Sequence, residues 1–195
     1  MRPLRQLYDW TLRLSARRDA MVVLFLVAFI EASVFPIPPD VLILPMILAC
    51  RSRAWAVAAT ATVGSVLGGV AGYAIGASLF ESLGEPILAF YGYLEDFAEF
   101  AAAYNEWGAW IVAGAGFTPF PYKVITIASG VTSLDPVVFM VASVVSRGAR
   151  FFLLAVLLWY FGPPIRRFVE KYLPQLAALF FILLFGGFIA VRYLF

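Results

Sequence analysis

Two proline-rich breaks inside apolar sequence constrain this chain more than any other feature. Residues 36–44 read PIPPDVLIL, and the same pattern recurs at residues 119–127 as PFPYKVITI. Each segment alternates two prolines with other residues before a charged residue, a valine and aliphatic residues, but the charge is negative at Asp40 and positive at Lys123. Proline interrupts a helix because it lacks an N–H group and clashes with the preceding turn. The sequence therefore predicts two related segments in which a helix is broken.

The composition places both breaks in a membrane. Of the 195 residues, 63% are hydrophobic and 13% are charged, whereas about 25% of the residues of a typical soluble domain are charged. We therefore expect a polytopic integral membrane protein with one membrane-embedded domain over residues 20–195. In residues 1–19, arginines alternate with leucines and aromatic residues. This pattern predicts an amphipathic helix on the cytoplasmic membrane surface rather than a cleaved signal peptide.

The apolar stretches on either side of each break are too short to cross a bilayer, which takes about 20 apolar residues. We interpret residues 20–50 and 107–133 as re-entrant helical hairpins that enter the membrane and return. Longer apolar stretches predict full transmembrane helices at residues 54–80, 137–162 and 175–195. The prolines that we assign to the two breaks are Pro36, Pro38, Pro39, Pro119 and Pro121.

The distribution of charge predicts an orientation. Residues 81–106 contain acidic residues and neither lysine nor arginine, so we expect a surface segment outside the cytoplasm. Most basic residues lie in residues 1–19, 51–53 and 166–171, and basic loops remain cytoplasmic. The two hairpins then enter from opposite faces. The predicted fold class is therefore an all-α polytopic membrane protein, an inverted repeat with two opposed re-entrant helical hairpins and about three full transmembrane helices. Such paired, interrupted segments are typical of the midplane site of a transporter.

A stripe of small residues marks one face of the first predicted full span. Gly64, Gly68, Gly72 and Gly76 recur at every fourth position, which places them on the same side of a helix. Small residues let a second helix approach closely inside a membrane. We expect a close helix contact here, either within the chain or in a homo-oligomer.

Five ionisable residues are predicted at membrane depth, namely Glu31, Asp40, Lys123, Arg147 and Arg150. Each costs about 2.5–3.5 kcal/mol on insertion scales, so such residues usually have a function. We expect Glu31 and Asp40 to couple transport to protons, and the three basic residues to bind an anionic substrate. Arg147 and Arg150 lie three residues apart on one helix face, and two guanidinium groups suit a phosphate. The alternative is mutual neutralisation, with Asp40 paired with Lys123 and Glu31 paired with an arginine.

Histidine is absent from the sequence, and Cys50 is its single cysteine. These facts argue against Ser–His or Cys–His catalysis, the usual zinc sites and an internal disulfide. We assign no catalytic residue, metal or cofactor, and we expect no enzymatic activity. The expected partners are membrane lipids with anionic or phosphate-bearing headgroups and protons, with no nucleic acid.

The two proline-rich breaks and the charged residues around them resemble the signatures of the DedA family, also described as the SNARE-associated Golgi or VTT-domain family. The first signature resembles the stretch from Glu31 to Asp40, the second resembles residues 116–130, and the following span is similar around Arg147 and Arg150. The likeness extends over about residues 20–165. Most members have an arginine-rich second signature of the form GRFxPGxR, whereas Phe117 and Lys123 occupy two of those places here. This departure resembles the YqaA group within the family.

The resemblance implies two opposed re-entrant hairpins and proton-dependent transport of polyprenyl phosphates or phospholipids between leaflets. It carries the membrane carboxylates over to Glu31 and Asp40, and the basic residues to Lys123, Arg147 and Arg150. We therefore predict a proton-coupled flippase or transporter of a phosphate-bearing lipid, in a bacterial cytoplasmic (inner) membrane with its N-terminus in the cytoplasm. The alternatives are a proton-coupled cation or drug antiporter, an intramembrane lipid-phosphate enzyme and a membrane scaffold.

Overall fold

A computed structural model describes residues 19–33, 38–118, 121–162 and 164, and within them the chain is helical, with no β-strand. A 3₁₀ turn (Arg51–Arg53) and a π-helical turn (Phe80–Gly84) adjoin the third α-helix. In chain order, the α-helices are α1 (Ala20–Ser33), α2 (Asp40–Ala49), α3 (Ala54–Leu79), α4 (Glu85–Tyr91), α5 (Leu94–Phe117), α6 (Tyr122–Val131) and α7 (Pro136–Gly162).

Some of the predicted features lie outside the described residues. They are the surface helix at residues 1–19, the basic loop at 166–171, the full span at 175–195, and the two prolines Pro36 and Pro119.

Within the described part of the chain, two helices are long and apolar enough to cross a membrane. One runs without interruption over Arg51–Tyr91, which is 41 residues, and the other is α7, with 27 residues. They include the predicted spans at residues 54–80 and 137–162. The helices α1, α2 and α6 are apolar but shorter. The all-helical class is thus confirmed, whereas re-entry of the hairpins and their opposed directions stay predictions.

The acidic segment at residues 81–106 is continuous with the helices on either side of it. The long helix continues through α4 and ends at Gly92, whose φ of 76° lies in the left-handed region that favours glycine. The next helix, α5, then runs for 24 residues from the acidic segment into the second predicted hairpin. Residues 94–117 contain no proline, so no proline interrupts α5.

The same order of elements occurs on both sides of α4. In each half, a first helix is followed by a break, a helix of 10 residues, a short turn and a long helix. The helices are α1, α2 and α3 in the first half, and α5, α6 and α7 in the second. The long helices contain 26 and 27 residues. The described prolines Pro38, Pro39 and Pro121 lie immediately before the two short helices, as expected for residues that end one helix and precede the next.

Two shorter helices, α1 and α6, pack against the glycine stripe of α3. A Cβ atom on Gly64 would lie 2.6 Å from the carbonyl oxygen of Phe25 in α1, and one on Gly68 would contact the backbone of Phe29. One turn further, Gly72 faces the side chain of Thr126 and Gly76 faces the backbone of Ile127, both in α6. The predicted close helix contact is confirmed, and both neighbours belong to this chain. This packing brings the ends of α1 and α6 together beside α3.

The last described helix is anchored at its start. The side chain of Asp135 accepts hydrogen bonds from the N–H groups of Val137 and Val138 at 2.8 and 2.9 Å, and Pro136 occupies the first helical position. An acidic cap followed by proline is a typical helix N-terminus. Phe151, Ala155 and Leu158 then pack into a core with α1, α2 and α3. The second half of α7 therefore packs against the helices on both sides of the first break.

Candidate functional site

Four of the five predicted membrane-depth residues meet at the middle of α7. Glu31 lies near the end of α1 and Asp40 begins α2, so the two carboxylates lie on either side of the first break. Arg147 Nη2 lies 2.8 Å from Glu31 Oε2, and Arg150 Nη2 lies 2.7 Å from Asp40 Oδ2. The partners are 116 and 110 residues apart in sequence. Two adjacent guanidinium–carboxylate pairs therefore connect α7 to the first break.

The alternative of mutual neutralisation paired Glu31 with an arginine, and this pairing is observed. It paired Asp40 with Lys123, whereas the structure pairs Asp40 with Arg150. Lys123 lies in the first turn of α6, is partly buried and also interacts within the protein. Arg147 and Arg150 reach both carboxylates because residues three apart share one helix face. Sequence spacing predicted this shared face but not which acid each arginine meets.

Arg147 is held on several sides. Its guanidinium carbon lies 4.9 Å from the centroid of the Tyr122 ring and 4.7 Å from that of Phe151. Its Nε donates a hydrogen bond of 2.6 Å to the hydroxyl of Ser65 in α3. A cation between aromatic rings is stabilised by the electron density of their faces. These contacts fix the plane of the guanidinium group, and its side chain is only 4% exposed.

Arg150 is held differently, by backbone at the second break. Its Nη1 donates to the carbonyl oxygen of Thr118 at 2.9 Å and to that of Phe117 at 3.4 Å. The final carbonyl groups of a helix have no partner within it, and Arg150 supplies a cation there. Because its Nη2 binds Asp40, this one side chain bridges the end of α5 and the start of α2. Its side chain is 24% exposed.

A second link joins the two breaks through α6. The hydroxyl of Thr126 donates to the carbonyl of Ala32 at 3.2 Å and to the carbonyl of Lys123, within its own helix, at 2.9 Å. Tyr122 donates to the hydroxyl of Ser143 in α7. Both Thr126 and Tyr122 are fully buried. The end of α1, which carries Glu31, is therefore in hydrogen-bond contact with the helix that follows the second break.

Several residues of this site were not identified from the sequence. Phe151 lies four positions after Arg147, so its place on the same helix face was a usable signal. Ser65 and Ser143 gave no such signal, because a buried serine looks like any small residue of a membrane helix. Among the described residues, no three acidic or cysteine side chains form a group suited to a metal ion.

The comparisons with known proteins agree with this description. The family model described as VTT domain matches residues 35–160. An uncharacterized protein of Haemophilus influenzae is 40% identical over 151 residues, which cover 77% of this chain and 78% of that protein. An uncharacterized homologue from Histophilus somni is 36% identical over 165 residues, covering 85% of this chain and 84% of that protein. No solved structure matches the chain significantly.

Proposed function

Because the chain belongs to the DedA family of VTT-domain membrane proteins, we propose that it transports a phosphate-bearing lipid, such as a polyprenyl phosphate or a phospholipid, and couples this movement to protons. The observation that carries the proposal is the pairing of both carboxylates at the first break with arginines in the middle of a candidate membrane span. We propose transport rather than catalysis, and we assign no catalytic residue.

The arginines are the basis for proposing a phosphate headgroup. A guanidinium group presents parallel N–H donors that match two phosphate oxygens, whereas a lysine acts as a point charge. Arg150 is the accessible member, and its bonds to the carbonyl groups of Phe117 and Thr118 use Nη1. Nη2 is then able to exchange Asp40 for a phosphate while Nη1 keeps the side chain in place. Arg147 and Lys123 add positive charge near the anion.

Proton coupling follows from the charge balance of this exchange. The pair of Asp40 and Arg150 is neutral overall, and a phosphate that replaces Asp40 leaves an unpaired carboxylate in the membrane. An uncompensated buried charge is strongly unfavourable. A proton on Asp40 removes that charge, so one proton and one singly charged headgroup enter together without changing the net charge. We propose Glu31 as the second proton-coupling residue, paired with Arg147.

We place the protein in a bacterial cytoplasmic membrane with a cytoplasmic N-terminus. Membership of a membrane-associated family, the two long apolar helices and the basic residues near the N-terminus support this placement. The re-entrant arrangement of the two hairpins and the YqaA-like branch are part of the same proposal. A homo-oligomer is compatible with it and is not required by it.

The experiment is leaflet exchange of labelled lipids in vesicles that contain the purified protein. The lipids are a polyprenyl phosphate, phosphatidylethanolamine and a neutral diacylglycerol, each with and without a pH gradient. We expect the protein to accelerate the exchange of a phosphate-bearing lipid over that in protein-free vesicles, in a gradient-dependent way, and to leave the exchange of diacylglycerol, which crosses bilayers unaided, unchanged. Arg150→Gln should abolish the exchange, whereas the matched control Arg53→Gln, at an exposed arginine of the turn before α3, should retain it.

Other outcomes point to other classes of protein. Phosphate release or a chemically altered lipid would replace the proposal with an enzyme. Cation flux coupled to protons, without exchange of any of these lipids, would replace it with an antiporter.

A further inference from the structure

Two buried hydroxyl side chains of α6, one turn apart, contact the groups next to the Glu31–Arg147 pair: Thr126 bonds to the carbonyl of Ala32, and the Tyr122 ring lies beside Arg147. We propose that Thr126 is a positioning residue for Glu31, acting through the end of α1, and that Tyr122 on the same face positions Arg147. The consequence for transport rests on the proposed function. The expected effect on the titration of Glu31 does not depend on that function.

Thr126 acts on the helix end that carries Glu31. The last carbonyl groups of α1 have no partner within the helix, and a polar backbone group inside a membrane needs one. The hydroxyl of Thr126 supplies a donor to Ala32, the residue directly after Glu31, from 94 residues away in sequence. Fixing the carbonyl of Ala32 fixes the peptide between Ala32 and Ser33, and this restrains the last turn of α1, from which the side chain of Glu31 projects.

Tyr122 acts on the arginine. The centroid of its ring lies 4.9 Å from the guanidinium carbon of Arg147, and that of the Phe151 ring lies 4.7 Å from it. Its own hydroxyl is bound to Ser143, which lies one turn before Arg147 on α7 and keeps the ring from rotating. Thr126 and Tyr122 thus hold the two members of the pair from one face of α6.

The glycine stripe of α3 makes this arrangement possible. A Cβ atom on Gly69 would lie 3.2 Å from the hydroxyl oxygen of Tyr122, and one on Gly72 would collide with the hydroxyl of Thr126. Any larger residue at position 72 would therefore push α6 away from the end of α1. Because α6 follows the second break, a movement of that hairpin is transmitted to the ion pair at the first break.

Among the described residues, the charged and titratable groups around Glu31 come from three helices. Its neighbours are Asp40 of α2, Tyr122 of α6, and Arg147 and Arg150 of α7. The adjoining helix α3 contributes no charged residue and contacts the pair through Ser65, which binds Arg147. A change in the alignment of Glu31 with Arg147 therefore changes the electrostatic balance at Glu31 directly.

The test is an infrared titration of Glu31 in the full-length protein, reconstituted in vesicles of phosphatidylethanolamine and phosphatidylglycerol. The carboxylic acid band that disappears in Glu31→Gln identifies the group. Thr126→Val preserves the shape of the side chain but removes the donor, and Thr126→Ser keeps the donor. Thr132→Val is the matched control, because the Thr132 hydroxyl bonds only to carbonyl groups of its own helix, Ala128 and Ser129.

We expect the midpoint of the Glu31 band to shift upward by about half a pH unit or more in Thr126→Val, because a misaligned Glu31 carboxylate accepts a weaker hydrogen bond from Arg147. Thr126→Ser and Thr132→Val should titrate like the wild type. The pH profile of lipid exchange should shift in the same direction, with a fall in rate of about fivefold.

An unchanged midpoint in Thr126→Val, or an equal shift in Thr132→Val, would overturn the positioning role. If the midpoint shifts in Thr126→Val alone while the wild type exchanges no lipid, the positioning role stands and the proposed transport fails. If the wild type exchanges lipid and all midpoints coincide, transport stands and the positioning role fails.

Discussion

The two ion pairs on α7 differ in how firmly the protein holds them. The side chains of Arg147 and Glu31 are 4% and 16% exposed, whereas those of Arg150 and Asp40 are 24% and 25% exposed. Arg147 is enclosed by two rings and Ser65, while Arg150 is bound to backbone carbonyl groups at the end of α5. We call Glu31–Arg147 the inner pair and Asp40–Arg150 the outer pair. The inner pair is buried and held on several sides, whereas the outer pair is partly exposed.

This difference assigns separate tasks to residues that looked equivalent in the sequence. A buried pair is expensive to break, because removing one partner leaves an uncompensated charge. A partly exposed pair is weak, because water and ions compete with it. Under the proposed function, the outer pair is therefore where a phosphate would enter, while the inner pair would maintain the geometry of the site.

The largest expected effect is on folding after loss of the inner carboxylate. Glu31→Gln leaves Arg147 buried without its negative partner, and we expect a loss of about 3–5 kcal/mol of stability. Asp40→Asn, the matched change in the outer pair, should cost about 1 kcal/mol or less. Unfolding of the purified proteins in detergent measures both. Equal losses would contradict the distinction between the two pairs.

A smaller effect is expected from moving the helix that carries Glu31. Gly68→Ala places a Cβ atom against the backbone of Phe29 in α1, and such overpacking typically costs about 1–3 kcal/mol. The control is Gly114→Ala in α5, where nothing lies within 4 Å of the added atom. We expect the control to be neutral or slightly stabilising. A control as destabilised as Gly68→Ala would show that helix packing is not the cause.

The aromatic support of Arg147 should have a graded effect. Tyr122→Leu removes the ring from the guanidinium group, and we expect a loss of about 2 kcal/mol. Tyr122→Phe keeps the ring and loses only the hydrogen bond to Ser143, which is worth about 1 kcal/mol. Thermal unfolding of the two variants shows which of them loses more stability. If Tyr122→Phe loses as much stability as Tyr122→Leu, the hydroxyl rather than the ring supports Arg147.

The smallest effect on stability is expected at the outer arginine. Arg150→Lys keeps the charge, so we expect a change of about 1 kcal/mol or less. Lysine has no planar fork to hold the carbonyl of Thr118 and an exchanging anion together, so the lipid exchange rate should fall about tenfold, as a lost charged hydrogen bond implies. Initial exchange rates measure this separation of stability from activity. A wild-type rate would remove Arg150 from the substrate site.

Much of this arrangement was predictable because its signals are local. Prolines inside apolar sequence predicted the interruptions, and periodic glycines predicted close helix packing. Glu31, Asp40, Arg147 and Arg150 were noticeable because a charge in an apolar segment is costly. These are properties of short stretches that any single sequence reveals.

The pairing of the charges was not predictable, since it depends on how distant segments pack. Nothing in the sequence distinguishes Arg147 from Arg150 as the partner of Glu31, because both lie on one helix face. The buried contacts of Ser65 and Phe151 were missed for a related reason, since small and aromatic residues are common throughout this chain. The continuity of α5 was also missed, because its acidic first half suggested a separate element.

Proton uptake on lipid binding tests the exchange at the outer pair most directly. Calorimetric titration of the protein with farnesyl phosphate, in buffers of different ionisation enthalpy, counts the protons taken up on binding. We expect the wild type to take up about one proton more per lipid than Asp40→Asn does, and to bind more tightly as the pH falls. Equal proton uptake by the two proteins, with affinity independent of pH in both, would contradict the account.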